Sequence, residues 1–175
     1  MRYKNRVEKY IIFTSLYQLK IAVDCDDFFL DGKFKCALKG YYQMLNLWGF
    51  IRKKNAYLPI SNIILSNKSY ELYEKIIKEF IHFFESFNIE IKFEDKSIMC
   101  DFEHSLTIAI KNNIKGINLR GCYFHYAKAI YKRCKSYGLF TKKKKRDTIF
   151  IAFILKLYPY IPTKLRKDYI QKIES

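Results

Sequence analysis

The chain has 175 residues, half of them apolar and 18% aromatic, which is enough for one domain with a buried core and too apolar for a disordered chain. Six glycines and three prolines exclude collagen-like and linker-dominated chains; five scattered cysteines, an odd number, exclude a small disulfide scaffold and suit a reducing compartment. Net charge is +16 and is unevenly spread: residues 1–110 carry 16 basic and 14 acidic side chains, residues 111–175 carry 17 and 3. Joint richness in Lys, Ile, Asn, Phe and Tyr marks AT-rich coding, but such bias spreads lysine evenly. The lopsided charge therefore points to an electropositive C-terminal end suited to an acidic partner.

Neither a membrane span nor an export signal is expected. The longest apolar run near the C-terminus, Thr148–Leu155, is cut by Lys156 and Pro159, whereas a spanning helix needs ~20 apolar residues. The N-terminal apolar stretch is broken by Thr14, Ser15, Gln18 and Lys20, and no small-x-small cleavage pattern follows.

In chain order, Tyr10–Thr14 reads as a strand and Tyr17–Val23 as a helix. Phe28–Lys35 reads as a strand with Asp31 in its middle, and Tyr42–Ile51 as a second strand. The polar stretch at 52–56 turns the chain into a third strand, Tyr57–Ser66, which Pro59 is expected to place on a sheet edge. Tyr73, Ile76, Ile77, Phe80, Phe84 and Phe87 recur at helical spacing, with Ser69 as N-cap and Glu74, Lys75, Lys78, His82 and Glu85 on the wet face. Ser97–Asp101 is a short strand, Phe102–Asn113 a helix, Gly116–Tyr123 a strand, and Tyr126–Tyr137 a basic helix closed by Gly138. A lysine run precedes the last helical stretches, Ile149–Leu157 and Thr163–Ile173. The order predicts a mixed α/β architecture. A right-handed crossover can set the strand of Asp101 beside that of Asp31, where neighbouring strands lie ~4.7–4.9 Å apart.

Asp31 interrupts an apolar strand and Asp101 ends one. Two carboxylates on adjacent strands suit a pair of hard cations ~3.5–4 Å apart, the geometry of metal-assisted phosphoryl transfer; the alternative is that each acid faces solvent at a strand end. Cys122 and His125 are half of a tetrahedral zinc site, with Cys134 as a third candidate, or else a packed strand-end thiol and a first-turn imidazole. The basic helix offers Lys128, Lys132, Arg133 and Lys135 between Tyr126, Tyr131 and Tyr137, a face able to bind phosphates. The run Lys142, Lys143, Lys144, Lys145 and Arg146 is either a nuclear localisation signal or a solvated turn.

The segments FFLDGKFK (28–35), YYQMLNLWGF (41–50), YLPISNIILSNKSYELYEKII (57–77), IMCDFEHSLTIAIKN (98–112) and GCYFHYAKAIYKRCKSYGL (121–139) resemble, in this order, the Mutator-like element (MULE) transposase domain. The motifs are Asp31-Gly32-Lys33-Phe34, Asp101-Phe102-Glu103 and Gly121-Cys122-Tyr123-Phe124-His125. The resemblance implies a ribonuclease H-like fold: a mixed sheet of a hairpin plus parallel strands, flanked by helices. Residues 1–140 would form the partial core, and 141–175 a basic turn and the start of a helical insertion. It implies DNA as partner and Mg2+ or Mn2+ as cofactor; the lysine run, read as a signal, gives a nuclear setting, and a nucleocytoplasmic one if it is not. Asp31 and Asp101 match the two metal-binding catalytic acids; Glu103, Cys122 and His125 match motif positions near the core.

Two departures lower the expected activity. The third catalytic acid of the family lies beyond the insertion, and only Asp147, Asp168 and Glu174 follow His125, none in a matching context. The chain is expected to stop inside the insertion. The motif threonine is Lys33 here, on the strand face of Asp31, where an ammonium could salt-bridge that carboxylate and compete with a cation. The expectation is a MULE-type domain with little or no DNA cleavage. The alternative is a non-catalytic basic nucleic-acid-binding protein. Self-association has no signature in the sequence.

Overall fold

The computed structural model describes residues 8–138, 140 and 145–174, with the side chains of 145–148, 173 and 174 outside the description. The chain divides into two compact units, 1–121 and 122–175. The first holds β1 (Tyr10–Phe13), α1 (Leu16–Asp24), β2 (Asp27–Lys33), β3 (Gln43–Ile51), β4 (Ala56–Leu65), α2 (Tyr70–Ser86), β5 (Ser97–Cys100), α3 (His104–Asn113) and β6 (Asn118–Gly121). The second holds α4 (Tyr123–Ser136), α5 (Lys145–Leu157) and α6 (Arg166–Glu174). Among the described residues, no helix is long and apolar enough to cross a membrane.

One six-stranded sheet runs in the order β1-β4-β3-β2-β5-β6. The hairpin strands β2, β3 and β4 are antiparallel, and β1 joins β4 antiparallel. β5 lies parallel to β2, and β6 parallel to β5. This is the mixed α/β sheet of hairpin plus parallel strands expected for a ribonuclease H-like core. The β3–β4 turn is one 3-10 turn, Arg52–Lys54, closed by Asn55 in the left-handed region at φ 48°. Asparagine tolerates that region better than most residues.

The edge placement of β4 is corrected, for the strand lies between β1 and β3. β1 covers only Asn62–Leu65 of β4, whereas Pro59 pairs with Trp48 alone, beside a bulge. The proline is tolerated because its missing N–H falls where β1 has already ended.

Phe28, Leu45, Leu47, Ile63, Leu65, Ile98 and Cys100 project from one sheet face into a continuous apolar cluster. Leu72, Tyr73, Ile76 and Phe84 of α2 fill it, with Leu106, Ala109 and Ile110 of α3, and Leu19 and Ala22 of α1. Ser69 caps α2 as expected, its hydroxyl accepting the Leu72 N–H at 3.1 Å. Phe87 does not belong to the buried stripe: it sits one residue past the helix end and is 53% exposed. In the second unit, Cys134 and Ala152 are buried, and the Tyr126 hydroxyl donates to the Leu155 carbonyl at 2.7 Å. Gly138 follows α4 at φ +67°, the left-handed geometry that ends many helices.

Asp27, at the start of β2, accepts hydrogen bonds from the Ser97 hydroxyl and, at 3.1 Å, from the Arg52 guanidinium. These partners, Ser97 foremost, hold its carboxyl below the usual carboxylate range. A folded-state pKa below the unfolded value contributes stability above the unfolded value, about 3.9, and that contribution disappears as pH falls through the folded value. Ser97→Ala is therefore expected to destabilise the protein at pH 7, with the gap to wild type narrowing below about pH 4. Urea midpoints at pH 7 and pH 3 test this; a gap that widens in acid contradicts it.

Candidate functional site

The parallel β2–β5 ladder ends at the pair Leu30↔Cys100. The next residue on each chain is an acid, Asp31 within β2 and Asp101 just beyond β5. Phe28 and Leu30 line the core with α2 and α3, so Asp31 belongs to the opposite sheet face. Asp101 is half-buried, and its Oδ1 accepts the Phe102 N–H at 2.7 Å. That bond ties its carboxylate to the turn into α3. Asp31 is exposed and pairs across the hairpin with Asn46, which pairs in turn with Asn62 of β4.

Two neighbouring carboxylates are an oxygen donor set that fits a hard divalent cation; magnesium keeps several of its waters, so one or two protein carboxylates suffice. Among the described residues, no group of three or more His, Cys, Asp or Glu side chains is placed to hold a metal ion. Lys33 shares the Asp31 face at the end of β2. Among the described residues its ammonium makes no ion pair with Asp31, so the expected competing salt bridge is not formed.

Glu103 does not cap α3 with its side chain. It reaches α2 instead, accepting the Tyr73 hydroxyl at 2.7 Å and pairing with the Lys68 ammonium. Tyr73 also accepts a hydrogen bond from Gln43 Nε2 at 2.9 Å. Burial first, then the Glu103 carboxylate, pushes the Tyr73 phenol far up from its ordinary value, so it stays a donor. Lys68 lies 4.9 Å from the centre of the Phe34 ring and 5.9 Å from that of Tyr42. The network links β3, the start of α2 and the chain two residues after Asp101. Lys68 carries no mark of this role in the sequence, and Tyr73 reads as plain core; Gln43, a glutamine at the start of an apolar strand, is the one available signal. Tyr73→Phe is expected to destabilise by about 1–3 kcal/mol, because Gln43 and Glu103 both lose a buried partner. Thermal or urea unfolding measures it, and a change below about 0.5 kcal/mol would rule the network out as a structural tie.

Phe102 explains the glycine of the last motif. A Cβ on Gly121 would stand 2.3 Å from Phe102 Cζ. The Asp-Phe-Glu motif thus packs its ring onto the β6 backbone, and β6 ends at Gly121 rather than running to Tyr123.

Within the second unit, Cys122 is the half-buried residue preceding α4 and makes no side-chain cap bond. His125 lies in the first turn, its ring 5.5 Å from that of Phe124. The zinc arrangement considered for Cys122, His125 and Cys134 is not assembled among the described residues; Cys134 is buried in the helix packing. Lys128, Lys132, Arg133 and Lys135 lie on α4, and all four are exposed. Lys128 lies 5.6 Å from the Phe124 ring centre and Arg133 4.7 Å from that of Tyr137. No acidic residue occurs between Glu103 and Asp147, so nothing on α4 offsets these cations. Lys142, Lys143 and Lys144 fall outside the described residues, and Lys145 and Arg146 open α5 with side chains outside the description.

No curated protein matched the chain. Residues 28–129, which carry the hairpin, both acids and the first turns of α4, match the family model of the MULE transposase domain. That match spans more than half of the sequence and contains every element that brings Asp31 and Asp101 to one end of the parallel ladder; the chain belongs to the MULE transposase domain family.

Proposed function

We propose that this domain holds a divalent cation, Mg2+ or Mn2+, on Asp31 and Asp101 and acts on DNA, to which the basic side of α4 binds. The carrying observation is the parallel register Leu30↔Cys100, which makes the two acids the next residues on adjacent strands. When bound, the cation would polarise a phosphodiester and lower the pKa of an attacking water or 3′-hydroxyl. The chain's own part is to hold the carboxylates oriented. Asp101 is steadied by the Phe102 N–H, and the Glu103–Tyr73–Lys68 network braces the segment behind it.

No third carboxylate joins the pair among the described residues, so the chain alone is proposed to bind metal and DNA while cutting DNA weakly or not at all. A purely DNA-binding role is the second reading, favoured by the unopposed cations of α4. The lysine run at 142–146 would serve nuclear import. The test incubates the full chain with supercoiled plasmid in Mn2+, Mg2+ or EDTA, and follows fluorescent duplex binding against salt. Salt-sensitive DNA binding with Mn2+ bound to the chain supports the proposal. DNA binding without any metal binding favours the second reading, and neither would overturn both.

A further inference from the structure

Asn46 lies inside a central strand, between Leu45 and Leu47, where asparagine is disfavoured and an aliphatic residue would be expected. It is only 7% exposed. Its Nδ2 donates to Asn62 Oδ1, but among the described residues its own Oδ1 has no hydrogen-bond partner. Such an orphaned acceptor costs about 1–3 kcal/mol, which folding alone gives no reason to retain. The bond commits the nitrogen to Asn62 of β4 and leaves the oxygen without a partner, while on its other side Asn46 pairs with β2. Its cross-strand neighbour there is Asp31. Asn62, Asn46, Asp31 and Asp101 thus occupy successive positions across β4, β3, β2 and the end of β5.

We infer that Asn46 Oδ1 is the third protein oxygen of the cation site, with Asn62 a positioning residue that fixes the amide so that oxygen, not nitrogen, faces the ion. The inference rests on the reading of Asp31 and Asp101 as a divalent-cation pair. A neutral carbonyl oxygen suits Mg2+ or Mn2+, and it adds a ligand without the repulsion of a further carboxylate. The ion would in turn satisfy the buried acceptor, so one contact accounts for both the residue type and its orphaned atom.

The test is Mn2+ binding to the full chain by isothermal titration calorimetry, with the Mn2+-induced shift in melting temperature as a second readout. Asn46→Ala is expected to weaken Mn2+ binding at least about tenfold, Asn62→Ala by a smaller factor, and Asn46→Asp to tighten it. Should Asn46→Ala fail to fold, by circular dichroism, the isosteric Asn46→Asp carries the test. Wild-type affinity in the Asn46 variants, with binding lost in Asp31→Asn, would overturn the assignment of Asn46 and leave the carboxylate pair standing. No Mn2+ binding by the wild type would overturn both.

Discussion

Asp31→Asn and Asp101→Asn are each expected to weaken Mn2+ binding about a hundredfold or more, and to leave the protein as stable as wild type or slightly more stable in EDTA. The two halves of this result come from the same geometry. Each carboxylate would bring a full negative charge to the proposed cation, whereas the neutral amide would bring only a dipole. Without metal, the two charges sit on neighbouring strands ~4.7–4.9 Å apart, where in water like charges repel by about 1 kcal/mol. Asparagine relieves that repulsion while keeping an oxygen able to accept the Phe102 N–H in the place of Asp101 Oδ1. A carboxylate kept for folding would behave in the opposite way, with its amide variant melting lower in EDTA and binding metal no worse. Calorimetric Mn2+ titration together with thermal melts in EDTA separates the two. Lower stability in EDTA with unchanged Mn2+ affinity in both variants would remove the metal site from this domain.

That pair is legible in the sequence because it depends on coarse properties. Hydrophobic runs ending in acids, a hairpin, and one helix between two strands are enough to bring Asp31 and Asp101 side by side, since a crossover of that kind returns its strand parallel to the first. The helical spacing of α2 and its Ser69 cap are legible for the same local reasons. What stays hidden depends on register or on long reach. Asn46 is set beside Asp31 and Asn62 only when the β2–β3 and β3–β4 pairings are known to the residue, and a bulge at Leu47/Trp48 shifts the second of these along the hairpin. Glu103, Lys68 and Tyr73 lie far apart along the chain, and their contact follows from how α2 lies over the sheet. Pro59 misleads because edge position is not a property of a whole strand; in β4 it changes partway along. Local pattern starts α4 at Tyr126 rather than Tyr123, since nothing nearby announces that Phe102 will claim the space beside Gly121 and end the strand there.

The largest expected effect on DNA binding belongs to α4. Lys128, Lys132 and Lys135 are spaced four and three residues apart, so they form one stripe, with Arg133 about 100° around the helix from Lys132. If each lysine of the stripe neutralises one phosphate, converting all three to alanine should flatten the dependence of log affinity on log salt by about 2.7, at about 0.9 for each phosphate no longer neutralised. Wild-type binding would then fall roughly 40-fold more than the triple variant between about 50 and 200 mM salt. Lys75 and Lys78 of α2 are the matched control. Lys75 pairs with Glu8 at 2.6 Å and Lys78 with Glu74 at 3.0 Å, so their charges are already met and replacing both with alanine should leave the slope unchanged. The contrast is sharper than a comparison of affinities, because unfolding lowers binding at every salt concentration, whereas removing phosphate-binding cations changes the slope. Equal slopes for wild type and the α4 triple variant, with both folded by circular dichroism, would show that the positive charge of this helix is not what DNA meets.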